Sequence, residues 1–278
     1  MRRRGDQDLR GTGTRLRHDS SAHETLHAPC PLTPSLSPGR GEGVRRTVKS
    51  RYECHALTLG GFGGQPPIEG PFLETMRQAI ADYIRSRKLR KPALVGHSLG
   101  GFLVFVLGAT EPDFVGPLVI VDAAPCPAAL INDRITAAEL QQGEQIGQFL
   151  ALAKRDEFLT QQRQMLAMWI ADQGKLDRVM NWVEASDQAT VARALGELWT
   201  RDLRGEVAKI KSPVLLLGAP GKGEGRAVTM KRYESQVARI ADKKVVFAER
   251  ASHFIMLDEP EWMWKQMDEF FAALVTEK

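Results

Sequence analysis

Residues 93–101 read Ala93-Leu94-Val95-Gly96-His97-Ser98-Leu99-Gly100-Gly101, and the stretch that follows, Phe102 to Thr110, is apolar and helix-prone. A short apolar run of strand type meets a turn of small residues and then a helix, with Ser98 at the apex. This is the setting of the G-x-S-x-G nucleophile elbow. Gly96 and Gly100 are expected to flank the serine because a side chain at either position would clash with the strand or the helix. The serine is expected in a strained backbone conformation, with its hydroxyl pushed out at the C-terminal edge of a sheet. The helix N-terminus behind it favours developing negative charge. A bare G-x-S-x-G is common by chance; the strand before it, the helix after it and a second glycine at Gly101 make this one specific.

Outward from the elbow, composition narrows the classes. Hydrophobic residues at 43% and charged residues at 26% are the proportions of a soluble globular protein. No apolar run is long enough to cross a bilayer. The start, Met1-Arg2-Arg3-Arg4, is followed by no apolar core of a secretory signal. Cys30, Cys54 and Cys126 have neither metal spacing nor the look of a disulfide framework, so a reducing cytoplasm is the default location. The basic pI of about 9.0 misleads as a clue to partners. Residues 1–50 carry ten Arg and Lys against five Asp and Glu, whereas the whole chain is only +4, so the remainder is slightly acidic. Nothing after residue 50 argues for nucleic acid or an anionic membrane.

Residues 1–50 contain no Phe, Trp or Tyr and include a Pro/Ser/Gly-rich run from Pro31 to Gly43. Such a segment cannot bury enough apolar surface to offset the entropy of ordering, and a disordered leader is expected. From Tyr52 the pattern becomes that of a folded domain. Strands are predicted at Tyr52–Leu59, Pro92–Val95, Pro117–Val121, Val214–Leu217 and Lys244–Ala248. Helices are predicted at Pro71–Arg87, Phe102–Thr110, Val228–Ile240 and Pro260–Leu274. The alternation is that of βαβ units, so the fold class is α/β with a mainly parallel, doubly wound sheet. A block that is almost all helix-forming, about 127–210, interrupts the alternation and carries Met165, Met168, Trp169, Met180, Trp182 and Trp199. It is expected to lie over the C-terminal edge of the sheet, where open α/β sheets bind ligands. Its Met and Trp side chains are expected to form the core of the block or to line an apolar pocket beneath it.

At this point the chain resembles the α/β-hydrolase superfamily from about residue 50 onward. The resemblance rests on the elbow Gly96–Gly101, the loop Gly60–Gly64, the helical insertion of the cap kind, and Ser252-His253-Phe254 after the last predicted strand. It implies a catalytic triad in the chain order Ser, acid, His, on loops at the strand C-termini, and no cofactor or metal. Ser98 needs a base, since an alkanol is barely nucleophilic at neutral pH. Of the six histidines, His18, His23 and His27 lie in the leader, His55 inside a predicted strand, and His97 beside the nucleophile but pointing elsewhere. His253 remains, in the loop where the family carries its base.

The acid is open. The family's usual place is the turn after Val214–Leu217, but Gly218-Ala219-Pro220-Gly221-Lys222-Gly223-Glu224 has no aspartate. Glu224 is one substitute. Asp122, at the end of the strand after the nucleophile's strand, is preferred because a strand end is rigid. The backbone N–H of Leu99 is the implied oxyanion donor; a second normally comes from a loop after an earlier strand. No such loop is visible ahead of Tyr52, so the family pattern begins abruptly near Lys49–Tyr52. The expectation is that an unrelated or misread segment stands in for the first strands. The reading is then a serine hydrolase acting on a small acyl substrate, with a catalytically impaired remnant or binding module as the alternative. Losing one oxyanion donor costs about 3 kcal/mol in the barrier.

Overall fold

The computed structural model describes residues 52–170, 172–221 and 225–276. The leader predicted at 1–50 and the candidate acid Glu224 lie outside the described residues.

In chain order the first elements are α1 (Phe72–Ser86), β1 (Leu94–His97), α2 (Leu99–Thr110) and β2 (Leu118–Val121). An insertion follows, bracketed by single 3-10 turns at Pro127–Leu130 and Glu206–Lys209. It contains α3 (Ala137–Gln141), α4 (Gly143–Leu152), α5 (Arg155–Trp169), α6 (Leu176–Glu184) and α7 (Gln188–Thr200). The chain then returns through β3 (Val214–Gly218), α8 (Arg226–Gln236), β4 (Lys243–Phe247), α9 (Ile255–Asp258) and α10 (Pro260–Thr276).

The four described strands are parallel and lie in the order β1-β2-β3-β4. Because side chains alternate across a strand, β2 and β3 feed two cores at once. Leu118, Ile120, Val214 and Leu216 join Val104, Phe105 and Leu107 of α2 and Tyr233 of α8 on one face. Val119, Val121, Leu215 and Leu217 join Met263, Met267 and Phe270 of α10 on the other. All of these residues are buried, as the near-continuous apolar runs of a doubly covered parallel sheet require. Among the described strands β1 has a neighbour on one side only, and its Val95 is 41% exposed.

Tyr52–Leu59 corrects the prediction: no strand forms there. Strand propensity is expressed only against a hydrogen-bonding neighbour, and no described strand runs along this segment. His55 is thus not inside a strand; its ring nitrogens meet the Tyr83 hydroxyl at 2.7 Å and the Glu53 carboxylate at 3.0 Å.

The insertion is anchored to the rest of the chain by specific polar contacts. Glu197 of α7 accepts the N–H groups of Phe72 and Leu73 at 2.6 and 2.9 Å, so a carboxylate satisfies orphan donors at the α1 N-terminus. The loop Gly60–Gly64 is tied to the α6–α7 turn. Asp187 N–H donates to Gly61 O, Gly64 N–H to Ala185 O, and Gly63 N–H to Ser186 Oγ. Within the insertion, α4 crosses α7 at Gly147 and Gly196, where a Cβ on Gly147 would meet Gly196 Cα at 3.1 Å. The Met and Trp side chains divide: Met180 is in the core, whereas Met168 is 74% exposed.

Candidate active site

The register His97↔Val121 and Val121↔Leu217 brings the ends of three strands level. Ser98 follows β1 and donates its N–H to Val121 O at 3.0 Å; Asp122 follows β2 and donates its N–H to Leu217 O at 2.7 Å. Both leave their strands with positive φ, 53° for Ser98 and 45° for Asp122. Such a conformation costs a non-glycine residue of the order of 1–3 kcal/mol. Ser98 thereby becomes the N-cap of α2, with φ 53° and ψ −119°.

The glycine prediction is half right. A Cβ on Gly96 would lie 2.2 Å from Gly100 O, and one on Gly101 would lie 2.7 Å from the Ala123 Cβ. A Cβ on Gly100 meets nothing within 4 Å. The close approach is therefore made by Gly96 and Gly101, and Gly100 itself faces open space.

Asp122 is 7% exposed and its carboxylate is fully engaged. Oδ1 accepts from Ala219 N–H at 2.6 Å and from the Tyr233 hydroxyl at 2.8 Å; Oδ2 lies 2.6 Å from His253 Nδ1. An ionised carboxylate only accepts, so these partners assign the proton to Nδ1 and leave Nε2 as the basic nitrogen. Burial, then the Asp122 charge, pushes the Tyr233 phenol well above its usual range, which keeps it a neutral donor. Among the described residues neither Ser98 Oγ nor His253 Nε2 has a hydrogen-bond partner. Such contacts often tighten only when substrate is bound.

The His253 ring sits among aromatic groups: His97 at 4.6 Å between centroids, Trp169 edge-on at 5.0 Å, and Phe254 at 5.3 Å. His97 corrects the expectation that it points away from the site, because its Nε2 lies 2.8 Å from the His253 carbonyl oxygen. Leu99 is the first residue of α2, so its N–H has no acceptor within the helix. In the loop Gly60–Gly64, the four residues from Gly61 onward offer no second donor. The N–H groups of Gly61, Phe62, Gly63 and Gly64 are spent on Pro66 O, Leu59 O, Ser186 Oγ and Ala185 O. The described residues contain no cluster of His, Cys, Asp and Glu able to hold a metal, and no helix long and apolar enough to cross a membrane.

Sequence reasoning missed Tyr233 and the contacts of His97. Tyr233 is one of many residues on a helix, and only the tertiary fold brings it to Asp122.

A parallel sheet sandwiched between helices, with a strained serine at one strand end and, at the next, an aspartate bonded to a histidine from the loop after the last strand, defines a class of hydrolases. The chain belongs to the alpha/beta hydrolase family, whose sequence profile it matches over residues 8–266. That match reaches back well before the boundary near residue 50 that composition suggests. Its relatives place it with esterase-like enzymes. The pimeloyl-[acyl-carrier protein] methyl ester esterase of Nitrosomonas europaea is 27% identical over 197 residues, covering 66% of this chain and 72% of the relative. The protein of the same name from Aliivibrio salmonicida is 28% identical over 214 residues, covering 74% and 77%. Among solved structures, a thermophilic esterase from Thermogutta terrifontis superposes with a TM-score of 0.68 at 17% identity, covering 84% of each chain.

Proposed function

We propose that the chain is a serine hydrolase that cleaves an ester or related acyl bond with Ser98 as nucleophile, His253 as base and Asp122 as the acid. The observation that carries this reading is the 2.6 Å contact between His253 Nδ1 and an Asp122 carboxylate held by two further donors, at the strand end next to Ser98. Ser98 Oγ attacks the carbonyl carbon while His253 Nε2 takes its proton. The oxyanion of the tetrahedral intermediate is met by Leu99 N–H, at the positive end of α2. Collapse expels the alcohol, which leaves with the proton from His253. Water, deprotonated by the same imidazole, then releases the acid and restores Ser98. Asp122 stays ionised throughout and stabilises the imidazolium. The insertion serves as a cap; the edge of Trp169 against the His253 ring supports this. The relatives' names point to a small alkyl ester of a longer acyl chain as the substrate class.

A second reading, an impaired enzyme or a binding module, is favoured by one observation: the N–H groups of Gly61 to Gly64 are spent elsewhere. A fluorophosphonate probe separates the two. Labelling that disappears in Ser98→Ala, together with hydrolysis of p-nitrophenyl acetate, is the expected result. Folded protein that takes no label would leave the second reading standing.

A further inference from the structure

His97 occupies the last position of β1, next to Ser98 in the chain, and the cycle just described leaves it without a task. Its surroundings are specific. Nε2 meets the His253 carbonyl oxygen at 2.8 Å, and its ring lies 4.6 Å from the His253 ring and 5.0 Å from Phe254. A carbonyl oxygen only accepts, so His97 carries its proton on Nε2 and donates it. A hydrogen bond thus runs from the nucleophile's strand to the main chain of the base.

We propose that His97 is a positioning residue that sets the separation of Ser98 from His253. The inference rests on the triad reading above. The main chain of the base loop is held from its C-terminal side, where Glu259 accepts from Arg250 and Ala251 and Asp258 accepts from Ser252. None of these bonds reaches the nucleophile's strand. The His253 side chain is fixed at Nδ1 by Asp122, but Asp122 follows β2, and it constrains the ring rather than the main chain. The His97 bond ties that main chain to β1, and it comes from the residue adjacent to the nucleophile. Movement of β1 therefore carries nucleophile and base together. Burial first, and the nearby His253 second, push the His97 imidazole well below its usual range, against the opposing pull of its bond to the carbonyl. His97 thus stays neutral when its neighbour takes up the serine proton, and does not compete for it.

Three variants test this. His97→Phe fills the same space without a donor. His97→Gln keeps a donor at the reach of Nε2. His97→Asn keeps an amide but falls short by one methylene. The expected result for His97→Phe is a kcat lowered by about 100-fold, the scale of a misplaced catalytic group, with KM little changed. His97→Gln is expected to recover most of that loss and His97→Asn little of it. Circular dichroism checks that each variant is folded. Should His97→Phe fail to fold, the Gln and Asn variants decide alone, and equal activity of these two overturns the proposal. Wild-type kcat in folded His97→Phe also overturns it, leaving a packing role only. Labelling of wild type by the fluorophosphonate keeps the two claims apart. If wild type is labelled and His97→Phe is unimpaired, only the His97 role fails. If wild type takes no label at Ser98, the triad reading fails and takes the His97 role with it.

Discussion

A methyl group added at Gly96 would press on the backbone of Gly100, 2.2 Å from its oxygen and 2.4 Å from its carbonyl carbon, and backbone cannot swing aside. At Gly100 the same group enters open space. The two substitutions are therefore expected to behave oppositely. Gly96→Ala should lose about 3 kcal/mol or more, or fail to fold, as overpacking against fixed backbone does. Gly100→Ala should keep its thermal midpoint or gain up to about 1 kcal/mol, because alanine suits the first turn of α2 better than glycine. Thermal unfolding followed by circular dichroism distinguishes them, and equal destabilisation would show that the elbow is tighter than its geometry implies. Asp122 poses a second question at this scale. Asp122→Asn is expected to lower kcat by about 10⁴-fold on p-nitrophenyl acetate, since the amide no longer holds His253 in the working tautomer. Tyr233→Phe removes one donor of three, and about a 10-fold loss is expected from a hydrogen bond to a charged group. Full activity of Asp122→Asn would transfer the acid's role to another carboxylate.

Among the elements, the loop that carries His253 has no regular structure, yet its backbone is held from several sides. Glu259 accepts the N–H groups of Arg250 and Ala251 at 2.8 and 2.9 Å, and Asp258 Oδ2 accepts that of Ser252 at 2.9 Å. The other oxygen of Asp258 accepts Asp172 N–H from the insertion at 3.1 Å, and the Lys175 ammonium bonds the Leu257 carbonyl. One carboxylate thus couples the insertion to the base loop. Asp258→Asn is expected to speed amide hydrogen exchange around both Asp172 and Ser252; faster exchange at only one of them would deny the coupling. Much of this architecture was legible beforehand, because alternating strands and helices, the elbow and a histidine after the last strand are local signals. The place of Asp122, just past the end of β2, was legible because it follows an apolar strand run; its contact with His253 was not. The Tyr52–Leu59 strand was misread because strand formation depends on a partner, which no window of sequence contains. The bonds that His97 and Tyr233 make span 156 and 111 residues of chain, and only the assembled sheet brings those ends together.

For the whole molecule, four of the described groups whose protonation is displaced are buried enough to imply a stability that falls on both sides of neutrality. On the acid side, folded His97 takes up its proton well below the ordinary 6.5, because of burial and then His253. The unfolded chain binds that proton near 6.5 while the folded chain does not, so stability declines as pH falls below this value, by at most about 1.4 kcal/mol per pH unit. At Glu259 burial opposes ionisation, but the N–H groups of Arg250 and Ala251 and the Arg250 guanidinium outweigh it, holding the carboxyl below its ordinary 4.5. Its contribution is complete above that value and is lost as pH falls through the lower, folded one. On the basic side, burial raises both the Cys126 thiol above its ordinary 9.0 and, together with the Asp122 charge, the Tyr233 phenol above 10.0. Both stay protonated in the fold after the unfolded chain has ionised, so stability declines as pH rises past those values. Urea midpoints measured across pH should therefore be flat between about 6.5 and about 9 and fall on either side. His97→Gln should remove the first acid decline and leave the basic limb untouched, and Cys126→Ala should delay the basic one. Parallel midpoints for wild type and His97→Gln between about pH 6.5 and 4.5 would mean that His97 titrates alike in both states, and that the fold around it is open enough to let the proton in.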